Sequence, residues 1–292
     1  MPSWRDLSAL ASELAGDAKR AYDRALGKTG AYRVVGYRGY GTTDRALVLG
    51  RVLEHTRIAT AEASHARWRN LLAMLQRIDS DPLPFANVQA RIGDCETHFV
   101  ADDEGFFRHW VDTEQRLAAG EWHTVHLEVV AGSETPVARA AHVPASVLVP
   151  SPRAELGVIS DMDDTVLQSN ITSFVRAARL VLLENARTRL PFPGVAAFYR
   201  ALAQGASDAG ANPIFYVSSS PWNLHDVITD FLDAQKIPIG PMLLRDWDMR
   251  PDMLRTREYK LGQIREILST YPRLPFILVG DSGQEDPEIY GT

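Results

Sequence analysis

The chain has 292 residues with 45% hydrophobic and 23% charged side chains, enough for two domains, which excludes a staple-dependent mini-protein and a disordered or collagen-like chain. The net charge of -6 divides into 17 basic against 19 acidic residues over 1–150 and 14 against 18 over 151–292, so neither half carries a basic nucleic-acid footprint. A single cysteine, Cys95, excludes an internal disulfide and a multi-cysteine zinc site and fits a reducing compartment, so the expected location is cytoplasmic.

Residues 4–26 place Trp4, Leu7, Ala11, Leu14, Ala18, Tyr22 and Ala25 at helical spacing, which predicts an amphipathic helix. Its apolar face suits packing on the rest of the protein. Trp4, Arg5, Lys19, Arg20 and Arg24 also suit a membrane surface, so peripheral membrane contact is the alternative. From residue 31 the pattern changes to short runs, 31–37 and 46–53, broken by Gly36, Gly39, Gly41 and Gly50. A helix is predicted over 63–78, followed by strands around 88–92, 106–111, 122–130 and 138–149. Short strands with turn signals argue for a β-sandwich over 31–150. No apolar run approaches the ~18 residues of a membrane span, and the amino terminus lacks a basic region followed by an apolar block.

Pro150 and Pro152 read as a linker, after which strands and helices alternate. Strands are expected over 155–160, 214–218, 242–244 and 275–280, with helices over 174–186, 195–204, 224–234 and 260–269. Apolar strands separated by helices predict an α/β fold with a doubly wound parallel sheet over 151–292. In such a sheet the reactive groups belong at the carboxyl ends of the strands.

The first of these strands runs into Asp161-Met162-Asp163-Asp164-Thr165. A carboxylate can attack phosphorus, and a neighbouring acid can protonate the leaving alkoxide and then activate water. An acidic loop capping a helix would look the same, so two aspartates alone decide little. The other strand ends add weight. The strand at 214–218 ends in Ser218-Ser219-Ser220, whose hydroxyls can hydrogen-bond a phosphoryl oxygen. The last strand ends in Gly280-Asp281, with Asp286 five residues on, and carboxylates from two strand ends can hold Mg2+. Lys260, opening the helix before that strand, can neutralise nucleophile and phosphate. Thr165, Ser219 and Arg245 are further candidate substrate-binding residues, although Arg245 could instead pair with Asp246 or Asp248. His123, His126 and His225 lack a ligand-like partner set. For Trp222 and Trp247, core packing and a substrate-groove role stay equally open.

These elements resemble the haloacid dehalogenase superfamily of aspartate-nucleophile phosphatases. The resemblance implies Asp161 as nucleophile, Asp163 as acid/base, Ser218 as phosphoryl-binding hydroxyl and Lys260 as neutralising lysine. It also implies a Mg2+ site from Asp161, the carbonyl of Asp163, Asp281 and Asp286. A narrower likeness rests on GVISDMDDTVLQS (157–169), FYVSSSPWNL (215–224), GPMLLRDWD (240–248) and LVGDSGQEDPEIY (278–290), which resemble the actin-patch-associated phosphatidate phosphatase family. That likeness covers roughly 155–290 and implies Mg2+-dependent conversion of phosphatidate to diacylglycerol.

Only about two dozen residues, 168–191, separate the first motif from the next helix, which predicts a minimal cap and an open site. Such a site suits a phosphorylated lipid or another bulky phosphate, with at most transient membrane contact through 4–26 or 174–186. The sequence ends soon after the last motif, where relatives continue, so a truncated carboxyl end and self-association through the exposed sheet edge are expected. The competing readings are a phosphatase of a soluble phosphomonoester and a non-catalytic binding or scaffold protein.

Overall fold

Strand β3 (Arg45–His55) sends alternate side chains into two different cores. Ala46, Val48 and Val52 are buried in one, Leu47 and Leu49 in the other, because successive residues of a strand face opposite sides. A computed structural model describes residues 31–55, 82–130, 144–162, 194–207, 211–245 and 253–280.

β3 lies between β1 (Ala31–Gly36) and β6 (Phe106–Asp112) in an antiparallel three-stranded sheet. A second sheet runs in the order β2 (Arg38–Tyr40), β8 (Ala145–Val149), β7 (Glu121–Val129), β4 (Asn87–Ile92), β5 (Cys95–Val100). Its β2–β8 pair is parallel and the others antiparallel. Val34, Ala46, Val48 and Val52 of the first sheet pack against Val88, Ala90, Val125, Leu127 and Val147 of the second, which makes a sandwich.

The third sheet is parallel, in the order β11 (Met242–Arg245), β10 (Ile214–Pro221), β9 (Gly157–Asp161), β12 (Phe276–Val279). From β9 the chain moves outward to β10 and β11, then returns to place β12 on the other side of β9. Every residue of β9 is buried, as a central strand covered on both faces requires. Gly157 is needed there, since a Cβ would stand 2.3 Å from the Phe276 ring. Among the described residues the helices are α1 (Val195–Gln204), α2 (His225–Ala234), entered through a 3-10 turn at Trp222–Leu224, and α3 (Met253–Thr270).

The three-stranded sheet is a middle layer. Its second face, with Val35, Leu47, Leu49 and Phe106, shares one core with Val158, Phe215, Leu243, Ile264 and Ile267. Tyr37 stacks on Trp222 at 4.4 Å with a 13° interplanar angle, and Tyr40 meets Phe215 edge-on at 5.5 Å. The Tyr271 hydroxyl donates to the Gly41 carbonyl at 2.8 Å. Trp222, 5% exposed, is therefore a core residue of this seam.

Three elements differ from the sequence reading. Helix α3 begins at Met253 rather than at Lys260, because the helix formers between them carry no apolar stripe to announce the start. β2 was too short to detect, and β5 lies at a sheet edge with Glu96, His98 and Val100 exposed, so it shows little apolar alternation. The helices expected at 4–26, 63–78 and 174–186 lie outside the described residues, as does the part of the expected 138–149 strand before Pro144.

Candidate active site

Asp161 is the last residue of β9, the strand on either side of which the chain places its later strands. Register aligns it with Val217 of β10, while Val279 of β12 aligns with Ser160. In an open parallel sheet this is where a crevice forms. The carboxylate is 1% exposed.

The strand end is fixed from the opposite face. Tyr199 of α1 and Ser160 share a 2.5 Å hydroxyl contact, and Ser160 Oγ donates to the Asp161 carbonyl at 2.8 Å. Since one hydroxyl carries one hydrogen, Tyr199 is the donor to Ser160. Burial is the main cause that pushes the Tyr199 phenol above its ordinary pKa, which keeps it protonated for this role. Sequence reasoning missed Tyr199. Its place on the apolar face of α1 was the only signal.

Lys260 approaches from α3, with its Nζ 2.9 Å from Asp161 Oδ1 and the residue 3% exposed. A buried ammonium and carboxylate at contact distance keep each other charged where either alone would be strongly disfavoured. The helix is tied to the sheet next to this pair, because the Tyr259 hydroxyl donates to the Leu244 carbonyl at 2.6 Å.

Ser218 is fully buried, and its Oγ accepts the Ser220 N–H at 3.0 Å. Between the pairs Val217–Leu243 and Pro221–Arg245, residues 218–220 of β10 stand opposite Leu244 alone. This bulge bends the strand end out of the ladder, a common device for re-aiming side chains. Ser219 is more exposed than its neighbours, and Arg245 closes β11 opposite Pro221.

Asp161, Ser218, Ser219 and Arg245 thus gather at the carboxyl ends of three adjacent strands, with Lys260 entering from α3. Asp163, Thr165, Asp281 and Asp286 lie outside the described residues, as do Asp246, Trp247 and Asp248. His225 sits in the seam between the sheets, its Nδ1 3.1 Å from Asp226 Oδ1 and its ring 4.5 Å from that of Tyr37. Among the described residues no group of three or more His, Cys, Asp or Glu side chains is placed to hold a metal.

Residues 156–292 match the family described as phosphatidate phosphatase APP1, catalytic domain. Phosphatidate phosphatase APP1 of Saccharomyces cerevisiae (strain ATCC 204508 / S288c) is 32% identical over 141 residues, which cover 47% of this chain and 23% of the yeast protein. The match thus spans about a quarter of that relative's length. A carbohydrate acetylesterase from Xanthomonas citri aligns over 82% of this chain and 57% of its own at 13% identity and TM-score 0.28. The chitinase ChiW from Paenibacillus sp. str. FPU-7 aligns over 86% and 24% at 9% identity and TM-score 0.22. Likenesses that weak carry no argument. Residues 156–292, which hold Asp161, Ser218, Arg245 and Lys260, are thus the part of the chain that is similar to the phosphatidate phosphatase APP1 catalytic domain.

Proposed function

We propose that the chain is a phosphomonoesterase that converts phosphatidate to diacylglycerol on a doubly wound, haloacid dehalogenase-like unit at 151–292, with the β-sandwich of 31–150 as a second unit. The observation that carries this reading is the buried Asp161–Lys260 pair at the strand where the sheet reverses. The similarity of residues 156–292 to the phosphatidate phosphatase catalytic domain supports the choice of substrate.

The Asp161 carboxylate attacks phosphorus in line with the departing alkoxide, which takes a proton from Asp163. Asp163, now a carboxylate, accepts a proton from water. That water attacks the aspartyl-phosphate, releases inorganic phosphate and restores Asp161. Lys260 offsets negative charge at the nucleophile and the transferring group. Ser218, Ser219, Thr165 and Arg245 bind phosphoryl oxygens.

The donor chemistry fits Mg2+, since the Asp161 carboxylate, the Asp163 carbonyl, Asp281 and Asp286 offer only hard oxygens. When bound, Mg2+ shields the repulsion between an anionic nucleophile and an anionic phosphate. No helix among the described residues is long and apolar enough to cross a membrane. In this reading the protein works in the cytoplasm and meets its lipid through transient surface contact.

The test is phosphate release by the purified chain from phosphatidate in detergent micelles, soluble phosphomonoesters and an aryl phosphate, with Mg2+ or EDTA. The expected result is release that requires Mg2+ and is fastest on phosphatidate. Faster turnover of a soluble phosphomonoester would replace the lipid as substrate, and no release from any of them would overturn the enzyme reading.

A further inference from the structure

Helix α3 has two loaded faces. Lys260, Ile264, Ile267 and Thr270 are buried, which marks the face laid on the parallel sheet. Glu266 projects about 120° around the axis from Lys260, at 100° per residue, and reaches the middle sheet instead. There the Trp110 indole N–H donates to Glu266 Oε1 at 3.0 Å, and Arg108 forms an ion pair with Glu266 Oε2. Arg108 also reaches Gln263 Oε1 at 3.4 Å, so it touches two residues one turn apart on α3. Trp110 is itself held, edge-on against Tyr40 at 5.6 Å and beneath the Arg45 guanidinium at 4.4 Å.

We propose that Arg108 and Trp110 of β6 are positioning residues for Lys260: through Glu266 they fix the rotation of α3 about its own axis and so hold the ammonium on Asp161. The inference rests on the reading of the Asp161 strand end as the active site. Apolar contacts on a helix face tolerate small rotations, whereas a charge-assisted hydrogen bond plus an indole N–H, one to each Glu266 oxygen, is directional. The lever is long, because an extended lysine carries its ammonium about 8 Å from the helix axis. A 20° rotation therefore moves it by about 3 Å, as much as the whole Lys260–Asp161 separation. The amino-terminal sandwich, none of whose described residues is placed in the candidate site, would in this way set the geometry of the reaction.

The test uses the full chain and does not depend on turnover. There are four lysines, Lys19, Lys28, Lys236 and Lys260, so acylation of amines under native conditions can be read peptide by peptide, with exposed Lys236 as internal reference. In Arg108→Ala, Lys260 is expected to label at least tenfold faster relative to Lys236, with the melting temperature close to wild type and Arg108→Lys restoring protection. Trp110→Phe, which keeps the ring and loses the N–H, should act in the same direction and serves if Arg108→Ala fails to fold. With an aryl phosphate, kcat should fall about tenfold at nearly unchanged KM, since misplacement of the order of 1 Å suffices for such losses. Unchanged Lys260 protection in a folded variant would overturn the inference. Increased labelling in a chain whose wild type is inactive would support the clamp and count against the phosphatase reading instead.

Discussion

Replacing Lys260 with Met removes an ammonium of nearly the same volume and leaves Asp161, 1% exposed, without the charge 2.9 Å from its Oδ1. At an effective dielectric constant of 20, Coulomb attraction at that distance is about 6 kcal/mol. Part of it offsets the desolvation of both groups, and loss of one partner from a buried pair typically costs about 3–5 kcal/mol. With a urea m-value of about 3 kcal/mol/M, the unfolding midpoint should fall by about 1–1.7 M. The assay is urea denaturation in EDTA followed by circular dichroism, on wild type, Lys260→Met, Asp161→Asn and the double variant. Asp161→Asn alone strands the ammonium and should also destabilise. The double variant, which removes both charges, should recover to within about 1 kcal/mol of wild type. A Lys260→Met midpoint within about 0.3 M of wild type, or a double variant as unstable as the sum of the singles, would refute the buried pair.

Ser218→Ala deletes the acceptor of the Ser220 N–H, so the bulge at the strand end loosens; stability should drop by about 1 kcal/mol while phosphatase activity falls at least tenfold. Steady-state kinetics beside a melting curve checks this. Burial raises the phenol pKa of Tyr40, Tyr199, Tyr216 and Tyr271. Their stabilising contribution is complete below the unfolded pKa of about 10 and is lost as pH rises above it, so absorbance at 295 nm and loss of circular dichroism should move together. Tyrosine ionisation that runs to completion in a folded protein would contradict this. Hydrogen bonds from Ser207 and the Ala206 N–H hold the Glu155 carboxyl below its usual pKa. Its contribution is present above about pH 4.3 and disappears as pH falls through the lowered value, so Glu155→Gln should lower the melting temperature at pH 7 but not at pH 2.

The sequence was most legible where one physical requirement wrote the pattern. The apolar run 156–159 leading through Ser160 into Asp161 marks a strand buried on both faces with a polar end, and that strand lies inside the parallel sheet, between β10 and β12. The alternation at Val88, Ala90 and Ile92 likewise marked β4. The seam between the two halves was illegible because its signals point the other way. In 36–41 the glycines look like breaks between strands. Instead they admit close backbone approach, since a Cβ on Gly39 would lie 2.0 Å from the Leu47 carbonyl oxygen, and this sets Tyr37 and Tyr40 against the parallel sheet. Nothing in the sequence connects Arg108 with Glu266, 158 residues apart. Lys260 was found by residue type and order, but its depth within α3 was not, because the preceding turns carry no apolar stripe.

The central claim is that Asp161 takes the phosphoryl group, and rapid-quench labelling with a 32P-phosphate ester tests it most directly. In the presence of Mg2+, wild-type chain should accumulate protein-bound label that is stable in acid, released by hydroxylamine and confined to the peptide containing Asp161. Asp161→Asn should show neither label nor phosphate release. Phosphate release by Asp161→Asn at the wild-type rate, or label on a peptide without Asp161, would contradict the account.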